Sequence, residues 1–226
     1  YKNIIKGKFL KRLNRFTAIV EINGQNETVH VKNTGRLKEI LMEGAEIFLE
    51  KSDNPERKTK YDLVAARKNS MLINIDSQAP NKVFREFLEK EGLFSEVSLI
   101  KPETFYKNSR FDFYLEAEGR KIFVEVKGVT LEEQGIVRFP DAPTERGIKH
   151  INELVSAVKD GYEAYIVFVV QLESAEVFMP NDSTHKEFGD ALRNAEKKGV
   201  KIKAFNCNVY ENGFDISKEI KINLGG

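Results

Sequence analysis

The chain has 226 residues, of which 41% are hydrophobic and 31% charged, with a formal net charge of +1. That length supports one large domain or two small ones with a workable core. With no run of about 18 apolar residues and no apolar h-region in Tyr1-Lys2-Asn3-Ile4-Ile5-Lys6, a transmembrane helix, a membrane partner and a signal peptide are not expected.

The first third reads as β. Short segments with β-branched or aromatic residues lie at 8–11, 16–22, 27–31, 46–51 and 63–67, with a helical turn at 36–42. Asn23-Gly24, Asn33-Thr34-Gly35, Glu43-Gly44 and Ser52-Asp53-Asn54-Pro55 punctuate them. Five short strands and one turn fit a small barrel of the oligonucleotide-binding (OB) type over residues 1–78. Phe16 reads as a core residue of this barrel rather than as a stacking ring. Residues 1–40 carry nine Lys and Arg against three Glu, a surplus of six, which leaves the remainder at −5. An anionic partner for that segment follows, against the alternative of an ordinary solvated surface.

The pattern changes near residues 76–80. Asn81 reads as the cap of a helix over 82–91 that ends at Gly92. Strands are predicted at 104–106, 110–116 and 121–126, then a helix capped by Thr144 through 159, stopped by Asp160-Gly161. The nearly unbroken apolar run 164–171 reads as a strand buried on both faces. A helix over 187–198 and a strand pair at 201–210 and 214–222 close the chain. Cys207 lies in the first of that pair and reads as a buried, reduced thiol, which points to the cytoplasm. Overall this is an α/β chain (α+β in sum), and residues 79–226 form its second domain.

Two strands carry the chemistry. Strand side chains repeat every second residue, so Glu125 and Lys127 in Val124-Glu125-Val126-Lys127 share a face. Asp112, in Arg110-Phe111-Asp112-Phe113, reaches Glu125 if Glu118-Gly119 turns a hairpin. Two carboxylates without cysteine or histidine form a hard-oxygen site suited to Mg²⁺ or Mn²⁺. Such a metal would polarise a phosphodiester and lower the pKa of a bound water, with Lys127 beside it. The bland alternative is that Asp, Glu and Lys here only solvate a strand. The order αβββαβ resembles the core of the PD-(D/E)XK nucleases, with Phe111 where many of them carry proline. That resemblance implies Glu86, on the first helix, as a further metal-site candidate; a solvent-facing Glu86 is the other reading.

The segment Phe139-Pro140-Asp141-Ala142-Pro143-Thr144-Glu145-Arg146-Gly147-Ile148-Lys149-His150 places a helix start, which attracts phosphate, beside Arg146, Lys149 and His150. Together with Asn33-Thr34-Gly35, Ser52-Asp53-Asn54, Ser109-Arg110-Phe111-Asp112-Phe113 and Val124-Glu125-Val126-Lys127, it resembles the sugar fermentation stimulation protein family. The resemblance covers nearly the whole chain. It implies DNA binding, an OB barrel before a nuclease-like domain, and a link to regulation of sugar-utilisation genes. The catalytic set expected is Asp112, Glu125, Lys127 and Glu86. Lys11, Arg12, Arg15, Asn33, Thr34, Arg36, Arg110, Arg146 and Lys149 are the candidates for contacting DNA, through its backbone and with little sequence preference. A non-catalytic DNA-binding regulator on a retained nuclease fold is the rival reading, a general interaction module with solvated charges the third, and homo-oligomerisation is left open.

Overall fold

The computed structural model describes residues 1–90 and 92–225. Six strands open the chain: β1 (Ile4–Arg12), β2 (Thr17–Ile22), β3 (Gln25–Val31), β4 (Glu46–Lys51), β5 (Tyr61–Lys68) and β6 (Met71–Asn74). They pair in the order β3-β2-β1-β4-β5-β6, and β3 returns to β5, closing a five-stranded barrel. The β2–β3 hairpin turns on Asn23 and Gly24, at φ 51° and 77°, which asparagine and glycine tolerate and which match the twist of the flanking strands. Along β2, buried Ala18, Val20 and Ile22 alternate with partly exposed neighbours, filling the barrel from one side. Residues 36–42 make a single turn, in which the Leu41 N–H donates to Leu37 O at 2.8 Å. Phe16 is not core. It lies in the β1–β2 loop with 54% of its surface exposed, one residue before the alternation of β2 begins.

The second part runs α1 (Ala79–Glu89), β7 (Val97–Tyr106), β8 (Ser109–Ala117), β9 (Arg120–Val129), β10 (Leu131–Glu133), β11 (Ile136–Phe139), α2 (Glu145–Lys159), β12 (Glu163–Val170), β13 (Val177–Pro180), α3 (Asp182–Lys197), β14 (Lys201–Tyr210), β15 (Gly213–Glu219) and β16 (Lys221–Ile222). Its main sheet has the order β15-β14-β12-β9-β8-β7, with β9, β12 and β14 parallel. The apolar run of β12 explains its central place. Tyr165, Val167 and Val169 pack in the core that holds Val83, Phe84 and Leu88 of α1, and Ile166, Phe168 and Val170 in the core that holds Ile151 and Leu154 of α2. Cys207 is buried in the α1 core, and burial pushes its thiol pKa up.

Several sequence expectations are corrected. Helix α1 begins at Ala79 with Gln78 as its N-cap residue and Pro80 in its first turn, so Asn81 lies inside the helix and does not cap it. The expected end at Glu91 lies outside the described residues. Helix α3 starts at Asp182, five residues earlier than read, because it runs through a non-helical break at His185. A small sheet, β10-β11-β13-β16, was not expected, since its strands are two to four residues long. Strand β7 is an edge strand whose largely exposed Lys and Glu residues hide its length from an apolar pattern. No helix among the described residues is long and apolar enough to cross a membrane.

The two parts are firmly joined. Barrel residues Val29, Ile40 and Ile73 belong to one continuous apolar cluster with Leu172 and Phe178. Gln171, fully buried, donates from Nε2 to Asn74 Oδ1 at 2.9 Å and to Asp76 O at 3.0 Å, while the Asn74 N–H donates to Gln171 O. Lys68 of β5 pairs with Glu132 of β10 at 3.0 Å.

Candidate functional site

The β8–β9 hairpin turns on Glu118 and Gly119, both at positive φ, and its ladder ends at Phe113 and Val124. Beyond that pair the alternation slips. Phe111 packs with Tyr106 and Phe123 in the α2 core, whereas Phe113 packs with Phe84 in the α1 core. The Asp112 carboxylate takes up the freed backbone, accepting from the Val126 N–H at 2.7 Å through Oδ2 and from Asn81 Nδ2 at 2.6 Å through Oδ1. Asn81 thus serves the site from inside α1.

Asp112, Glu125 and Lys127 line one cavity of about 190 Å³, together with Asn81, Arg110, Arg146 and His150. Glu125 is 2% exposed. Its Oε1 accepts from Lys127 Nζ and pairs with His150 Nδ1, each at 2.5 Å, while its Oε2 is buried with no hydrogen-bond partner. A buried carboxylate oxygen without a partner is costly, and a cation is one group that would relieve it. The donors are oxygens, which suits a hard divalent cation holding several waters of its own. Among the described residues no group of three or more His, Cys, Asp or Glu side chains is placed to hold a metal ion, so the protein would offer a cation here only the two carboxylates.

The two carboxylates are driven apart in acidity. Burial, then the charge of Glu125, raises the Asp112 pKa, with the Val126 N–H, Lys127 and Asn81 opposing. Burial works to raise Glu125 too, but the His150 hydrogen bond and Lys127 together hold it below the usual range. The sign of the stability effect follows. A carboxyl raised in the folded state costs nothing below its unfolded pKa of about 3.9, and costs its full penalty above its folded pKa. Asp112→Asn keeps both hydrogen bonds if Asn81 flips its amide. The variant is therefore expected to melt above the parent in EDTA at pH 7. The gap should close as the pH falls through the folded Asp112 pKa. Equal melting at pH 7 would show that the site carries no such penalty.

The other candidates separate into two groups. Arg12 is not a free cation: its guanidinium donates to the carbonyls of Asn14, Arg15, Asn33, Gly35 and Arg36 at 2.5–3.1 Å, tying two barrel loops together. Asn33 is likewise engaged, donating to Ile75 O and accepting from the Gly35 N–H. Lys149 donates to Asn108 O, and Arg110 lies 3.4 Å from Glu103. Glu86 is exposed on α1 and does not line the cavity. Lys11, Arg15, Thr34, Arg36 and Arg146 are exposed.

Arg15, Thr34 and Arg36 line a second, larger cleft of about 750 Å³ between the barrel and the second part, along with Lys38 and Arg138. Ser77 borders both spaces, and Gly128, next to Lys127, lines the cleft. A Cβ on Gly128 would come within 2.5 Å of Gln171 Oε1 and 2.8 Å of Pro80, so only glycine fits there. Lys38, Arg138 and Gly128 are not singled out by the sequence, and Asn81 is singled out there only as a helix cap. The role of His150 was also out of reach, because its contact with Glu125 spans 25 residues.

Comparison with known proteins adds the family context. Residues 78–213 match the sugar fermentation stimulation protein RE domain, and residues 10–75 match the SfsA N-terminal OB domain. A sugar fermentation stimulation protein homolog of Ruminiclostridium cellulolyticum is 55% identical over 224 residues, covering 99% of both chains. One from Desulfitobacterium hafniense is 58% identical over 224 residues, covering 99% of this chain and 98% of its own. The solved structure of Pyrococcus furiosus SfsA in complex with Ca²⁺ superposes with a TM-score of 0.91 at 30% identity, covering 99% of this chain and 97% of the other.

Proposed function

The chain belongs to the sugar fermentation stimulation protein family, and from that membership and the geometry above we propose that it is a DNA-binding protein with a divalent-metal-dependent phosphodiesterase site at Asp112, Glu125 and Lys127. The observation that carries this reading is the partnerless buried Oε2 of Glu125 in the cavity it shares with Asp112. The Ca²⁺ held by the Pyrococcus relative supports a hard, oxygen-liganded cation, here Mg²⁺ or Mn²⁺. Asp112 and Glu125 would hold that cation, and what it supplies is Lewis acidity toward a phosphodiester oxygen.

The protein's own groups do the rest. Asn81 and the Val126 N–H fix Asp112, and His150 and Lys127 fix Glu125 through a single oxygen. The Lys127 ammonium lies on the cavity wall, where it offsets charge that develops on a phosphate. Arg15, Arg36, Lys38 and Arg138 line the adjoining cleft and hold the DNA backbone. The test is cleavage of single-stranded, duplex and branched DNA with Mg²⁺ or Mn²⁺, beside an Asp112→Ala control. A parent that binds DNA and cleaves none of these with either metal would leave a binding protein only.

Backbone holding has its own signature. Affinity is expected to fall steeply with salt and to differ little between sequences. Replacing Arg15, Arg36 and Lys38 together by Ala should flatten the plot of log affinity against log salt by about 2, at roughly 0.7–0.9 per lost phosphate contact. Titrations at several ionic strengths check this, and an unchanged slope would remove these three from the interface.

A further inference from the structure

Two phenylalanines stand out of the surface beside the proposed DNA path. Phe105 on β7 is 74% exposed and Phe16 in the β1–β2 loop is 54% exposed. Neither is a loose end. Phe105 is followed by Tyr106, which is buried and stacked on Phe111. The backbone that turns Tyr106 inward therefore turns Phe105 outward. Phe105 pairs directly across the ladder with Arg110, and directly opposed residues share a sheet face. Arg110 lines the carboxylate cavity, so Phe105 lies on the sheet face next to a residue of that cavity.

Phe16 is held as firmly. Asn14 Oδ1 accepts from the N–H groups of Phe16 and Thr17, and Arg12 grips the carbonyls of Asn14 and Arg15. The preceding residues of this loop, Leu13, Asn14 and Arg15, line the cleft. Each exposed ring thus adjoins an arginine that lines one of the two spaces, on a fixed piece of backbone.

A phosphate has no use for a phenylalanine, and a paired base hides its face inside the duplex stack. An unpaired base offers that face freely, and rings with adjacent cations form the stacking platforms of single-strand binding sites. We propose that the substrate is nucleic acid with unpaired bases, which stack on Phe105 at the carboxylate cavity and on Phe16 at the barrel side of the cleft. This rests on the DNA-binding reading above and specifies its substrate.

The experiment measures binding in EDTA by fluorescence anisotropy, with labelled oligothymidylate and a blunt duplex of mixed sequence as probes. The single strand is expected to bind more tightly than the duplex. Phe105→Ala should weaken the single strand about fivefold to a hundredfold, the range for loss of one stacked base, and Phe16→Ala should act in the same direction. Phe105→Leu should lose nearly as much as Phe105→Ala, and Phe105→Trp should retain affinity, which separates stacking from mere apolar contact. None of these changes removes a charge, so the salt slope should stay put. Both rings are exposed, so the variants are expected to fold. The proposal is overturned if both alanine variants bind the single strand like the parent, if they lose single strand and duplex equally, or if the duplex is preferred. It is overturned too if Phe105→Ala alters only self-association, which would make the ring a contact between copies. A parent that binds neither probe ends the DNA-binding reading as well, whereas binding indifferent to both rings ends only this inference.

Discussion

Asp112→Asn and Glu125→Gln are each expected to abolish Mg²⁺- or Mn²⁺-dependent cleavage, by about a thousandfold or more, while binding metal-free DNA at least as well as the parent. Lewis-acid stabilisation of a reacting phosphate contributes several kcal/mol, and each 1.36 kcal/mol is about tenfold in rate. Both variants remove a negative charge from a cavity that shares the lining residue Ser77 with the basic cleft, so repulsion of the DNA backbone falls. Lys127→Ala should behave differently. An ammonium does not ligate Mg²⁺, so metal affinity should be largely kept while turnover is lost. Calorimetric titration with Mn²⁺, cleavage rates and DNA affinity on the same three proteins give three separate readouts. If Asp112→Asn turns over as fast as the parent, these residues are not the site.

Arg12→Ala is expected to lower stability by about 2–3 kcal/mol, or roughly 5–10 °C in melting temperature, without a matching change in the salt slope of DNA binding. The guanidinium serves five carbonyls from two loops and is half-buried between them. Its loss strands several acceptors and releases the loop that carries Phe16. Arg12→Lys should recover little, because a single ammonium has three donors and no planar fork to span both loops. Arg15→Ala is the contrast: an exposed side chain whose loss should change stability by no more than about 0.5 kcal/mol. Urea unfolding of the four proteins decides the matter. Melting of Arg12→Ala together with the parent, accompanied by weaker DNA binding, would make Arg12 a phosphate contact after all.

The difference between Arg12 and Arg15 also marks where sequence reading stops. Both are cations in the same basic stretch, and nothing in their spacing tells which one is surrounded by carbonyls from residues 21 and more positions away. Glu125 and Lys127 were legible because a two-residue period is a local property of a strand. Asp112 was legible because Glu118-Gly119 announces the hairpin that brings it back. The barrel followed from its turn residues and the buried central strand from its apolar run. Asn81 was misread because a capping residue and a residue with a partner 31 positions away look alike in sequence. Phe16 was misread because an aromatic at the head of an alternating run normally points inward, and here the run begins one residue later. Strands of two to four residues have too few positions to display a period at all.

The continuous apolar cluster that joins Ile73 and Val29 to Phe178 has a consequence for how this protein comes apart. Two modules that share one interior cannot melt in sequence, because loosening either one wets the other. A calorimetric scan should therefore give a single endotherm whose van't Hoff and calorimetric enthalpies agree, despite a chain that reads as two domains. Severing it after Ser77 would yield two halves that each expose part of a common interior, along with the broken Asn74–Gln171 amide pair. The two halves are separable as sequence patterns, but they are interdependent as folded matter.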